Sequence, residues 1–156
     1  LAESGAQRQA MWRLREEHAE AQKREGASVK NDVSVPVSRV PELIARGIEA
    51  VRRIVPAVRP CPFGHVGDGN IHFNFSRPED MADDAFLALW DPIADAVAGE
   101  VRRLGGSFSA EHGIGRLKTA TLAEWRRGPE IETMRRIKAA LDPCGLMNPG
   151  KVVEHR

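Results

Sequence analysis

The sequence predicts an α+β fold, in which a ferredoxin-like antiparallel sheet carries helices on one face. Three observations predict this class: short segments of alternating apolar residues, longer segments with helical apolar spacing, and an Asp68-Gly69 turn signal between two strand candidates. Their order, β-α-β-β-α-β, is that of a ferredoxin-like unit. A chain of 156 residues has the usual length of one domain. We divide it into an N-terminal helix (1–28), a core (29–112) and a C-terminal helix and tail (113–156).

The beginning of the chain contains one helix candidate and two strand candidates. Residues 6–25 have the apolar spacing of a helix, which Gly26 ends. Valine occupies every second position over 33–37, and Pro36 is expected to end this short strand. The next strand candidate, 58–64, contains two prolines, so we expect its first part at a sheet edge or in an irregular segment.

Two helices are expected around these strands. Ser38 is suited to cap a helix that runs to about Ile54, because its hydroxyl can accept a first-turn N–H. Residues 83–104 carry a long apolar stripe. Asp91-Pro92 would supply an N-cap and a first-turn proline inside it, so we expect two helices or a kink there.

The last third of the chain begins with a glycine turn at 105–106. We expect this turn to lead into a short strand that delivers Glu111 and His112. The pattern of residues 116–125 is ambiguous, with a short helix as one interpretation. Residues 129–141 have a clear helical pattern.

The hairpin is the most informative segment. A two-residue type I′ turn needs positive φ at both central positions, which Asp68 and Gly69 tolerate. Such a turn would pair His65 with His72 on one face, and period-two alternation adds Asn74 to it. The opposite, core-facing side would carry Ile71, Phe73 and Phe75. This polar row indicates a functional site, with a half-exposed sheet bearing coincidental histidines as the alternative.

Composition narrows the function classes. The chain has 23 basic and 22 acidic residues, so its charge does not favour nucleic acid or an anionic membrane as a partner. It has neither an apolar run of the ~18 residues that a membrane span needs nor a signal-peptide core at its N-terminus. Cys61 and Cys144 lack metal or redox spacing, which suggests a reducing compartment. We expect a cytoplasmic protein, and a peripheral membrane association is left open.

A third candidate ligand follows the hairpin in Ser109–Gly115. Two imidazoles and the Glu111 carboxylate would form a metal site with an open position, and the adjacent His112 would be free for proton transfer. The same ligand set occurs in zinc hydrolases, but the chain lacks their His-Glu-x-x-His motif. A metallohydrolase and a non-catalytic metal-binding or assembly module are therefore the alternatives to the resemblance described next.

Three motifs occur in the order HVGDGNIHFN, SAEHGIGRLK and MRRIKAALDPCGLMNPGKV. They resemble the C-terminal part of FAD-linked oxidases of the vanillyl-alcohol-oxidase type, such as glycolate oxidase D subunits, D-lactate dehydrogenases and D-2-hydroxyglutarate dehydrogenases. The resemblance runs from about Trp12 to Val152. It implies an FAD-linked oxidase C-terminal domain, with FAD bound mainly by an N-terminal domain or a separate subunit. The chain is then expected to be a C-terminal fragment that is inactive alone.

The resemblance also implies roles for individual residues. It places a divalent metal, with zinc as the first choice, on His65, His72 and Glu111. It makes His112 the general base and Asn74 a substrate contact. It assigns the substrate carboxylate to Arg15 and Lys30, which match the family segments Trp-x-x-Arg-Glu and Lys-x-Asp-Val-Ser-Val-Pro.

The expected substrate is a small 2-hydroxy acid. In the D-2-hydroxyglutarate enzymes a threonine that contacts the distal carboxylate stands where this chain has Ala19. Loss of that hydroxyl argues against a dicarboxylate, so we expect D-lactate or glycolate to be oxidised to the 2-oxo acid. The partners are expected to be the flavin domain or subunit and an unidentified electron acceptor, and a homodimer is left open.

Overall fold

The computed structural model describes residues 1–153, apart from the side chain of Ala19. It contains two units, Leu1–Glu111 and His112–Arg156. The helices are α1 (Gly5–Glu16), α2 (His18–Lys23), α3 (Val40–Arg52), α4 (Asp83–Leu87), α5 (Trp90–Arg103), α6 (Thr119–Trp125) and α7 (Pro129–Leu141). The strands are β1 (Ser28–Val29), β2 (Asp32–Ser34), β3 (Arg59–His65) and β4 (Asn70–Ser76).

The sheet of the first unit is antiparallel and has β4 at its centre. One side of β4 pairs with β3, and the other side pairs with β1 and β2 in one unbroken register. Ser34 of β2 forms an isolated antiparallel bridge with Ser107. The lateral order, from the Ser107 bridge through β1–β2 and β4 to β3, is that of a ferredoxin-like sheet, so the predicted α+β fold is confirmed. The strand predicted to deliver Glu111 is reduced to that single bridge.

The core lies on one face of this sheet. Ile71, Phe73 and Phe75 are buried there, as period-two alternation predicts. Helix α3 packs closely on the sheet, because a Cβ atom added to Gly47 would lie 2.3 Å from Cε1 of Phe73. Helix α5 packs against α3 and contributes Ile93, Val97 and Val101 to the core.

The hairpin differs from the predicted two-residue turn. The connection is the longer loop Val66–Gly69, which begins with a 3-10 turn over Val66–Asp68. The Gly69 N–H donates to the Val66 carbonyl oxygen at 3.0 Å. Gly69 has a left-handed φ of 69°. Among the described non-glycine residues, positive φ is confined to Asn148 and Val152, so Asp68 does not take the conformation that a type I′ turn requires.

The longer loop changes the strand register. His65 pairs with Asn70, and His72 pairs with Phe63. The predicted direct pairing of His65 with His72 is therefore wrong. The register is shifted by two positions, which preserves the alternation of faces, so both histidines still belong to the face opposite the core.

Several helix boundaries also differ from the predictions. The N-terminal helix is divided into α1 and α2 at Glu17, and the apolar residues of its predicted stripe are exposed. Ser38 lies within the 3-10 turn Val37–Arg39, and Arg39 takes the N-cap position of α3 without a side-chain bond. The 83–104 segment forms two helices as expected, but α5 begins at Trp90, one residue before Asp91.

The second unit contains α6 and α7. Helix α7 has the predicted bounds and is followed by Asp142, whose carboxylate accepts the N–H groups of Leu146 and Met147 at 2.8 and 2.9 Å. Lys138 donates to the same carboxylate. Over residues 1–153, every helix is too short or too polar to cross a lipid bilayer.

Candidate functional site

The face of the sheet opposite the core collects polar residues from distant parts of the sequence. The strand register aligns them across β1–β2, β4 and β3 in successive rows: Lys30, Asn74 and Cys61; Asp32, His72 and Phe63; Ser34, Asn70 and His65. Lys30 lies between β1 and β2, and their common register places it opposite Asn74. Four residues predicted to belong to the site therefore share one sheet face.

The carboxylate of Glu111 lies between the two histidines. His65 Nδ1 is 3.1 Å from Glu111 Oε1, and His72 Nε2 is 3.5 Å from Glu111 Oε2. The His65 and Glu111 side chains are 53% and 44% exposed, whereas His72 is 18% exposed. Glu111 thus lies near both predicted histidine ligands, and His65 and Glu111 remain accessible while His72 is mostly covered.

The donor types of this set, and its two histidine–carboxylate separations, suit a divalent metal such as zinc. Zinc–ligand bonds of ~2.0–2.2 Å in a tetrahedral site separate neighbouring donor atoms by about 3.3–3.6 Å. The two histidine–carboxylate separations, 3.1 Å to Oε1 and 3.5 Å to Oε2 of Glu111, are close to that range. Imidazole nitrogen and carboxylate oxygen are also donor types that zinc accepts.

Asp32 holds Glu111 in this position. Ser107 and Ser34 exchange backbone hydrogen bonds of 2.8 and 2.9 Å, which tie the segment before Glu111 to the sheet. The Ala110 N–H then donates to the Asp32 carbonyl oxygen, and the Glu111 N–H donates to Asp32 Oδ2 at 2.8 Å. Asp32 was not predicted as a site residue. Its place in the alternating segment before Pro36 is the signal that could have identified it.

The two predicted anion-binding residues have different surroundings. Arg15 of α1 lies beside the histidine cluster, with its Nη2 atom 3.5 Å from His65 Nε2. Lys30 is exposed and forms neither a hydrogen bond nor an ion pair within the first unit. Both cations are thus on the same unit as the candidate metal ligands, and Arg15 contacts one of them.

Asn74 is buried beneath α2. Its Nδ2 atom donates to Gln22 Oε1 at 2.9 Å, and Gln22 Nε2 donates to Ser76 Oγ at 3.4 Å. Gln22 is also buried, so it sets the orientation of the Asn74 amide. The sequence did not indicate Gln22, because a glutamine near the end of a charged helix carries no distinguishing pattern.

An aromatic row covers the inner part of the site. Phe63 lies between two imidazoles, with its ring centroid 4.8 Å from that of His18 and 5.1 Å from that of His72. His18 Nε2 is also 3.1 Å from Cys61 Sγ. Burial raises the pKa of the Cys61 thiol, which favours the neutral thiol over the thiolate at this position.

His112, the predicted general base, is the first residue of the second unit, and its side chain is exposed. It follows Glu111 directly in the chain. A general base must be able to reach the proton that it removes, and an exposed imidazole meets this requirement.

Comparison with known proteins agrees with the fold. The family described as FAD linked oxidases, C-terminal domain, matches residues 1–152, and the chain belongs to this family. Membership confirms the predicted resemblance and implies FAD as the redox cofactor of the proteins that contain such domains. The contacts described above assign none of residues 1–153 to the flavin.

Several curated relatives carry the name D-2-hydroxyglutarate dehydrogenase. The one from Xanthomonas citri pv. viticola is 41% identical over 99% of this chain, and the one from Stutzerimonas stutzeri is 38% identical over 97%. The Rattus norvegicus relative, named as mitochondrial, is 36% identical over 95%. The chain spans 32%, 32% and 26% of the lengths of these three proteins.

Proposed function

We propose that this chain is the substrate- and metal-binding domain of a flavin-dependent dehydrogenase that oxidises a D-2-hydroxy acid to the 2-oxo acid. The observation that carries the proposal is the position of the Glu111 carboxylate between His65 and His72, with Arg15 in contact with His65. A metal-binding donor set beside a guanidinium is suited to a substrate that presents a hydroxyl and a carboxylate together.

Arg15 and Lys30 are the proposed carboxylate ligands. The planar guanidinium of Arg15 can bind two carboxylate oxygens through parallel N–H donors, whereas Lys30 supplies a single point charge. Asn74 would contact the substrate with its amide held in place by Gln22. Because Asn74 is buried, only a substrate group that reaches the surface of the sheet could contact its amide.

His65, His72 and Glu111 would hold a zinc ion, which would supply a Lewis acid to lower the pKa of the substrate hydroxyl. His112 takes the hydroxyl proton, a role for which imidazole is suited because its pKa lies near neutral pH. A bound flavin would supply the acceptor for the hydride of Cα. Loss of this proton and hydride balances the conversion of the alcohol to the ketone.

Two substrate classes have specific support. The names of relatives that are 36–41% identical favour D-2-hydroxyglutarate. Ala19 favours D-lactate or glycolate, because its methyl side chain offers no hydrogen bond to a second carboxylate. The side chain of Ala19 lies outside the described residues, so this support comes from the sequence alone. Kinetics with all three acids will choose between the classes.

The first test uses Arg15 variants of the whole flavoprotein. A charge-assisted hydrogen bond contributes about 1.5–3 kcal/mol, so Arg15→Ala should lower kcat/KM by about ten- to a hundredfold. Arg15→Lys should also be impaired, because it cannot bind two oxygens in parallel. Arg13→Ala is the matched control, since within the part of the chain that the structure describes Arg13 forms its ion pair with Glu17, four residues later. Wild-type kinetics in both Arg15 variants would contradict the assignment.

The second test separates the metal ligands from the base. His72→Ala should lose bound zinc by elemental analysis, whereas His112→Asn should keep it and lose turnover. Zinc retained by His72→Ala would favour a module with structural histidines. Hydrolytic activity that depends on zinc but not on flavin would favour a metallohydrolase.

A further inference from the structure

We propose that Asp32 is a positioning residue that selects the ring tautomer of His72 and so presents the Nε2 lone pair to the metal. This inference rests on the proposed metal site and adds a residue to it. A residue with this role touches neither the metal nor the substrate. It acts through His72 and through the backbone of Glu111.

The contacts of Asp32 connect the relevant groups. Its Oδ2 atom accepts the Glu111 N–H at 2.8 Å, and its Oδ1 atom accepts a bond from Asn70 Nδ2 at 3.0 Å. Asp32 Oδ1 is also 3.7 Å from His72 Nδ1 on the adjacent strand. A carboxylate has about four lone-pair sites, so Oδ1 can accept a second hydrogen when the ring moves by a few tenths of an ångström.

The ring of His72 lies between two carboxylates. Nδ1 faces Asp32, and Nε2 faces Glu111 at 3.5 Å. A neutral imidazole carries one N–H, and each carboxylate attracts it. The Asp32 side chain is 2% exposed and that of Glu111 is 44% exposed, so water screens Asp32 less. Asp32 should therefore attract the ring hydrogen of His72 more strongly than Glu111 does, which places that hydrogen on Nδ1.

This tautomer is the one required for metal binding. A metal-bound histidine commonly donates its other ring N–H to a carboxylate, which fixes the ring orientation and strengthens the ligand. The strand register supports this geometry, because Asp32 and His72 are directly opposite across β2 and β4. The same carboxylate holds the backbone of Glu111, so one residue orients two proposed ligands.

The orientation of Asn70 is consistent with Asp32 Oδ1 acting as a hydrogen-bond acceptor. Asn70 is buried and donates through Nδ2 to Asp32, while its Oδ1 atom has no hydrogen-bond partner within the described residues. Rotating the amide by 180° would place Oδ1 against the carboxylate, which is repulsive. Asn70 thus leaves one acceptor unsatisfied and retains a bond to the carboxylate.

Asp32→Asn is a selective test because it need not disrupt the backbone. The new side-chain oxygen can still accept the Glu111 N–H, and its NH₂ can donate to Asn70 after that amide rotates. The same NH₂ would face His72 Nδ1, where only a lone pair is compatible. The hydrogen should therefore move from Nδ1 to Nε2.

The experiment is ¹⁵N NMR of the metal-free whole protein labelled at histidine, with His72 assigned by a His72→Gln variant. We expect the Nδ1–H tautomer in the wild type and the Nε2–H tautomer in Asp32→Asn. Zinc affinity, measured by titration calorimetry, should fall by about 10- to 100-fold in the variant. Asp83→Asn is the matched control, because Asp83 also accepts a distant backbone N–H, from Ala27 at 3.3 Å, and is not a candidate site residue.

The outcomes are distinguishable. An Nε2–H tautomer in the wild type, or an unchanged tautomer in a folded Asp32→Asn, overturns the role of Asp32 even if zinc binds. Absence of zinc binding in the wild type overturns the proposed metal site, whatever the tautomer. If Asp32→Asn fails to fold, the wild-type tautomer and the zinc affinity of Asn70→Ser decide the question. The Asn70 variant keeps the carboxylate and should bind zinc within about threefold of the wild type.

Discussion

Gly69 shows how a single residue supports the geometry of the site. It follows the 3-10 turn of the hairpin with a φ of 69°, and a Cβ atom there would lie 1.9 Å from the Val35 carbonyl oxygen. The Val35 N–H also donates to the Gly69 carbonyl oxygen at 3.1 Å. Gly69 therefore joins the hairpin to the end of the Asp32 strand through a backbone approach that only glycine allows.

Gly69→Ala should destabilise the first unit by at least about 2 kcal/mol, because left-handed strain adds to a collision with backbone. Urea unfolding would measure this loss. Gly105→Ala isolates the strain, since Gly105 has a φ of 71° but an added Cβ would meet nothing within 4 Å. It should cost about 1 kcal/mol. Gly67→Ala is the neutral control, with open space and no positive φ. Equal losses in all three variants would contradict this account.

At the residue scale, the sequence predicted which face each site residue occupies but not its neighbours. Period-two alternation correctly separates His65 and His72 from the apolar face, because it is a local property of an extended chain. The predicted pairing of the two histidines was wrong because the length of the loop sets the strand register, and Asp68-Gly69 is compatible with hairpin loops of more than one length. Asp32 and Gln22 were missed because their roles depend on contacts with distant residues.

At the scale of elements, α3 and α5 contain glycines in opposite environments. Gly47 of α3 lies against Phe73, whose Cε1 and Cζ atoms would be 2.3 and 2.8 Å from an added Cβ. Gly99 of α5 is exposed and would meet nothing within 4 Å. Both positions are inside helices, so both substitutions to alanine bring the same gain in helix propensity.

The two substitutions should therefore have opposite effects on the free energy of unfolding. Gly99→Ala should stabilise the first unit by about 0.5–1 kcal/mol through helix propensity. Gly47→Ala should destabilise it by about 1–2 kcal/mol, because overpacking against the Phe73 ring exceeds that gain. Chemical denaturation of both variants under identical conditions gives the comparison. Stabilisation by Gly47→Ala would mean that the helix can move away from the sheet at little cost.

The helices also show which elements a sequence can predict. Helix α7 has the predicted bounds because its periodicity, first-turn proline and following Asp-Pro are all local signals. Helix α1 was predicted as amphipathic, but its residues are all unburied. Periodicity identifies the stripe of a helix and cannot show what covers it.

At the scale of the whole molecule, the second unit should lose stability in strong acid. The pKa of Asp142 is lowered from 3.8 to about 2, chiefly by the hydrogen bond from Lys138. Burial opposes this shift, and hydrogen bonds from the Met147 and Leu146 N–H groups add to it. A lowered pKa means that the folded state favours the ionised carboxylate. The resulting stabilisation is complete above pH 3.8 and is lost as the pH falls through about 2.

Hydrogen exchange of the α7 amides would measure this effect. Asp142→Asn should reduce protection of α7 near neutral pH, and its difference from the wild type should shrink as the pH falls from 3.8 to about 2. Asp95→Asn is the control, because Asp95 is exposed on α5 and forms no hydrogen bond or ion pair within the described residues. A difference between Asp142→Asn and the wild type that is constant with pH would contradict a role for the charge.

The prolines of β3 protect the sheet from unwanted self-association. The Phe73 N–H donates to Asn31, away from β3, so the positions of β3 opposite Phe73 and Phe75 would direct their own N–H groups outward. Pro62 and Pro60 occupy these two positions and have no N–H to offer. The two prolines therefore remove no hydrogen bond between β3 and β4. A strand from another molecule that paired with the outer edge of β3 would meet no N–H donor at either position. Pro60 and Pro62 are compatible with β3 because it is an outer strand, and they also make its free edge a poor template for aggregation.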